Sequence, residues 1–138
     1  MKILVSACLL GENCKYNGGN NYCERLTDII KSNEVISVCP EVMGGLPIPR
    51  KPGEIHDGKV IDTEGVSIDA EFRRGAQLVL DIAKREKIEM AILQSRSPSC
   101  GVNQIYDGTF SHRLIVGMGV CARLLKDNGF RVVDVEDL

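Results

Sequence analysis

The sequence predicts an α/β fold: a single three-layer Rossmann-like domain with a mostly parallel four-stranded sheet and a small β-hairpin, spanning residues 1–138. Three observations carry this. Short apolar runs alternate with stretches of helical periodicity, in the order β-α-β, hairpin, α-β, loop, α-β. The length suits one domain with its own core and is too short for two ordinary ones. Hydrophobic residues make up 43% and aromatic ones only 4%, so that core is aliphatic. We expect a strand order of 2-1-3-4, which puts a topological switch point between the first and third strands, where ligands bind beyond the carboxyl ends.

Taken in order, KILVSA at residues 2–7 is a β-prone run that stops at Cys8, followed by a Gly- and Asn-rich loop. In ERLTDIIKS, Leu26, Ile29 and Ile30 fall at helical spacing. EVISVC gives a second strand ending at Cys39-Pro40. The next stretch, EVMGGLPIPRKPGEIHDG, is so rich in Pro and Gly that no regular element is expected in it. Asp57-Gly58 marks a hairpin turn. Beyond it, Phe72, Ala76, Val79, Leu80 and Ala83 form one stripe of a long helix, with Asp69 as its expected N-cap. EMAILQ is a third, buried strand, and SRSPSCGVNQIYDGTF reads as a second long loop. Residues 118–128 form the last helix, closed by Gly129 at C′, and FRVVDV is the terminal strand.

Composition excludes several function classes. A net charge of -2 leaves no electrostatic footprint for long nucleic acid. The apolar start is too short to span a bilayer, so no membrane partner is expected, and cytoplasm is the expected compartment. His56 and His112 lack the context of a zinc hydrolase. The Gly-x-Gly at 117–119 lacks the third glycine of a dinucleotide signature.

Of six cysteines, Cys8, Cys39 and Cys100 each stand where an apolar run breaks into a Gly/Pro-rich loop. In a parallel sheet all three thiols arrive at one edge, positioned to hold one face of an iron-sulfur cluster and leave an iron open. The alternative is that free cysteine simply packs well, the reading adopted for Cys23 and Cys121. For Cys14 three roles stay open: fourth ligand, redox partner or loop packing. Glu41, next to Cys39-Pro40, stands where it can move a proton at the rim of such a site. Ser95, Ser97 and Ser99 offer hydroxyls to a small ligand. Arg50 presents a rigid donor fork suited to a polar or anionic substrate, or else is half of a surface charge pair with Glu54 nearby.

Six blocks in sequence, VSACLLGENCKYNG, VCPEVMGGLPIPRKPGEI, FRRGA, SPSCG, YDGTF and GMGV, resemble a family of small bacterial and archaeal iron-sulfur thiouracil desulfidases, formerly the domain of unknown function DUF523. The resemblance covers nearly the whole chain. It implies a 4Fe-4S cluster bound by Cys8, Cys39 and Cys100 alone, with Glu41 as acid/base and Ser97 touching the substrate near the open iron. The implied substrate is a thiolated pyrimidine such as 2-thiouracil, or a thiolated nucleotide or tRNA base, which is converted to the oxo-base and hydrosulfide. A reading from a different class is a non-catalytic module that passes sulfide or iron to a partner, with Cys14 completing four-thiolate ligation. Monomer and homodimer are both compatible with the sequence.

Overall fold

A computed structural model describes residues 1–138. Four parallel strands form the central sheet: β1 (Lys2–Ser6), β2 (Glu34–Val38), β5 (Met90–Leu93) and β8 (Val132–Asp134). Their order is β2-β1-β5-β8, as the sequence predicts. Register runs Ile3 to Val35 and Met90, and Ile92 to Val133, so the carboxyl ends of all four strands share one edge.

Both faces of the sheet are covered at its centre, which is why β1 and β5 read as continuous apolar runs. Leu4, Ala91 and Leu93 point toward α3 (Asp69–Glu86) and α4 (Val120–Asp127), joining Phe72, Val79 and Leu125 in the larger core cluster. Ile3, Val5 and Ile92 point the other way, onto Leu9, Leu26 and Val135 from short 3-10 turns, beside α1 (Thr27–Ser32). Removing each such side chain from water contributes roughly 1.5–3 kcal/mol. The hairpin of β3 (Gly53–His56) and β4 (Lys59–Asp62) turns at Asp57-Gly58, both with positive φ, +48° and +78°, as a type I′ turn requires. Gly129, at φ +88°, closes α4 at C′.

Three local expectations are corrected. The Pro/Gly-rich stretch holds one turn of helix, α2 (Pro40–Met43), with Pro40 at its first position, where the missing N–H costs nothing, and β3 begins inside the same stretch. Asp69 does not cap α3. Ile68 occupies the N-cap, and Asp69 Oδ1 instead accepts from Val60 N at 3.1 Å, tying the helix to β4. The stretch after Cys100 carries a second hairpin, β6 (Gln104–Tyr106) and β7 (Leu114–Val116).

Glycines let these pieces approach. A Cβ on Gly75 of α3 would lie 1.8 Å from Pro40 O, and one on Gly44 would lie 1.9 Å from Glu71 O. The backbones of α2 and α3 therefore touch, and this contact fixes the segment that follows Cys39.

Candidate active site

Cys8 lies in the 3-10 turn Ala7–Leu10 directly after β1, and Cys39 follows β2 in extended conformation at the N-cap of α2. Cys100 stands well beyond the end of β5, in the SPSCG loop. That loop is seated on α4. The first N–H groups of α4 have no side-chain cap, and carbonyls of the loop take them: Val120 N donates to Pro98 O at 2.8 Å and Cys121 N to Ser99 O at 2.9 Å. Gly119 permits the contact, since a Cβ there would lie 2.6 Å from Ser99 O.

Cys8, Cys39 and Cys100 all line one cavity of about 570 Å³, and Cys14 joins them. The Cys39 thiol donates to Cys14 O at 3.8 Å. Asn21, a residue the sequence reading passed over in an Asn-rich loop, donates to Cys8 Sγ at 3.4 Å. Cys121 is fully buried in the core, and Cys23 packs beside the smaller cluster.

Glu41, Arg50 and the serines form a connected rim. Arg50 Nε donates to Glu41 Oε1 at 3.2 Å, and its Nη2 donates to Cys14 O at 2.9 Å. The Arg50 side chain is only 6% exposed and that of Glu41 17%, so this is an internal pair and not a surface one. Ser99 Oγ donates to the other Glu41 oxygen at 2.8 Å. Ser97 Oγ accepts from Ser99 N at 3.1 Å and Cys100 N at 3.0 Å, which uses both of its lone pairs. Its proton is left to donate, so the 3.0 Å contact between the two hydroxyls runs from Ser97 to Ser99 and onward to Glu41.

Burial makes the cavity hostile to thiolate. Burial pushes the Cys100 thiol up to about 12, against the Ser6 hydroxyl that pulls it down. Burial, then the nearby Cys39, pushes Cys14 up to about 12, and burial chiefly raises Cys8. Thiols in such a place ionise when a bound cation supplies the missing charge. No three His, Cys, Asp or Glu side chains cluster tightly enough to hold a single metal ion. Soft thiols brought to one cavity from separate loops are the donor type that an iron-sulfur cluster takes.

A parallel α/β domain that brings thiols from the loops after three strands to one cavity, with a carboxylate and hydroxyls at its rim, is of the class that seats an iron-sulfur cluster in an enzyme. The chain belongs to the 2-thiouracil desulfurase family, whose profile matches residues 3–137. A solved structure described as the 4Fe-4S-dependent thiouracil desulfidase TudS superposes with a TM-score of 0.94 at 38% identity, covering 99% of this chain and 92% of that one. The protein YbbK of Bacillus subtilis, described as uncharacterized, is 38% identical over 146 residues, covering 99% of this chain and 97% of its own. No helix is long and apolar enough to cross a membrane.

Proposed function

We propose that the chain, working as one domain, is a 4Fe-4S-dependent desulfidase that replaces the sulfur of a thiolated pyrimidine such as 2-thiouracil with the oxygen of water, releasing the oxo-base and hydrosulfide. The observation that carries this is the meeting of Cys8, Cys39 and Cys100 in one cavity with Glu41 at its rim. These three thiols hold the cluster. When bound through three protein ligands, the cluster supplies an iron without a protein ligand, a Lewis acid for the thiocarbonyl sulfur.

The remaining work falls to the chain's own groups. Glu41 takes the proton of the water that adds to the ring carbon and returns a proton to the departing sulfur. Arg50 and Ser99 serve by holding its two oxygens, and so act by positioning Glu41, with their donors engaged there. Ser97, whose backbone-facing lone pairs are occupied, turns its free proton to the substrate or along the hydroxyl chain to Glu41. The cavity volume of about 570 Å³ suits a small ring.

Anaerobic reconstitution with iron and sulfide tests the reading. The loaded protein is expected to show broad visible charge-transfer absorbance and to release sulfide from 2-thiouracil. Glu41→Gln is expected to keep the absorbance and lose turnover. Reconstituted wild-type protein with the absorbance and no sulfide release would sink the enzymatic reading.

A further inference from the structure

Aromatic side chains are scarce here, three Tyr, three Phe and no Trp, and Phe72 alone is a fully buried core side chain. Tyr16, Tyr106 and Phe110 instead line the cavity, together with His112. Tyr106 ends β6, and Phe110 and His112 belong to the hairpin tip that follows. The Tyr106 and His112 rings meet edge to face, with centroids 6.4 Å apart at 84°.

The tip is held in a costly shape. Phe110 has a φ of +56°, a region that bulky side chains disfavour. Such a conformation persists only where the surroundings over-determine it. Here Glu54 does so: its Oε1 accepts from Gly108 N at 3.0 Å and from Phe110 N at 3.1 Å. Gly108 is pressed onto β3, where a Cβ would lie 2.5 Å from Ile55 O. One carboxylate oxygen thus fastens the second hairpin to the first and sets the Phe110 ring in the cavity wall. An aliphatic side chain would close the wall as well, but only an aromatic one offers a flat π-face.

We propose that Phe110 is the stacking wall for the flat heteroaromatic ring of the substrate, and that Glu54 is the residue that positions it, so that together they set the preference for planar thiocarbonyl rings. This rests on the desulfidase reading above. Phe110 touches the ring, whereas Glu54 acts through the loop backbone.

The test uses the reconstituted full-length protein and 2-thiouracil. Phe110→Leu is expected to raise KM about tenfold or more with little change in kcat, whereas Phe110→Tyr keeps KM within about twofold of wild type. Glu54→Ala should match Phe110→Leu, and Glu54→Gln, which retains an oxygen acceptor, should stay near wild type. Hydrogen exchange gives an independent reading, because the Gly108 and Phe110 amides lose protection in Glu54→Ala and keep it in Glu54→Gln. Visible absorbance and iron content stay unchanged throughout. An unchanged KM in Phe110→Leu beside an active wild type overturns the stacking role alone. Unchanged amide protection in Glu54→Ala overturns the positioning role. An inactive wild type instead overturns the desulfidase reading and the stacking role with it, while exchange still decides the Glu54 contact.

Discussion

Arg50 reaches Glu41 through Nε at 3.2 Å while the other arm of its guanidinium holds the carbonyl of Cys14, so one buried side chain fixes both the rim carboxylate and the loop beside Cys39. Lysine has one ammonium in place of this fork and cannot hold both partners in the same geometry. Arg50→Lys is therefore expected to lower kcat for sulfide release roughly 10–100-fold, as small misplacements of reacting groups do. Arg50→Ala should in addition destabilise the fold by about 3 kcal/mol, because Glu41 loses its partner in a mostly buried site. Steady-state kinetics and thermal unfolding check the two effects separately.

The crossing of α2 over α3 admits no side chain. Gly75→Ala and Gly44→Ala each drive a methyl group into a backbone carbonyl, which cannot rotate away. A loss of about 3 kcal/mol is expected, lowering Tm by roughly 10 °C. Gly65 provides the comparison: nothing lies within 4 Å of its Cβ position, so Gly65→Ala meets only the strain of φ +78°, about 1–2 kcal/mol. Equal Tm losses at Gly75 and Gly65 would contradict the backbone contact.

Cysteine substitutions should divide into two sets. Cys8→Ala, Cys39→Ala and Cys100→Ala are each expected to lose the visible absorbance after reconstitution. Cys14→Ala should keep it, since what Arg50 and Cys39 grip is the Cys14 backbone carbonyl, which the substitution leaves in place. Cys121→Ser should also keep it but melt earlier, because a hydroxyl replaces sulfur in the fully buried core. Iron content and Tm, measured on the same samples, read both effects, and loss of iron in Cys14→Ala would favour the four-thiolate module.

Acid should weaken one tether of the sheet edge. The bidentate Arg96 guanidinium, at 2.9 Å to each oxygen, holds the Glu136 carboxyl below its ordinary value of 4.5. A carboxyl depressed on folding stabilises the native state above its unfolded-state value and loses that contribution as pH falls through the folded-state value. Between about pH 6 and about pH 3, the Tm of wild type should therefore fall slightly more steeply than that of Arg96→Gln. The group is exposed, so the difference should shrink further in high salt. Parallel slopes for the two proteins at low salt would refute the link.

The centre of the sheet was legible in the sequence because β1 and β5 are buried on both faces and read as the unbroken apolar runs ILV and AIL. The second hairpin was not, because Leu114, Ile115 and Val116 are exposed and their three-residue run carries no alternation. The helical turn at Pro40–Met43 hid among glycines whose purpose is contact with α3, a partner distant in sequence. Within the site, the loop cysteines were visible from local context. The Arg50–Glu41 pair, the Asn21 donor and the hairpin tip were not, since each depends on which loops meet in space.

The carbonyls that terminate the first turn of α4 belong to the Cys100 loop, so the helix and the loop share one set of hydrogen bonds. Whatever orders the loop also anchors the helix, and whatever frays the helix loosens a thiol. A cofactor gripped at Cys100 would thereby lend its binding energy to a distant part of the core. Holoprotein and apoprotein should differ most in rigidity along Val120–Asp127, away from the cavity itself.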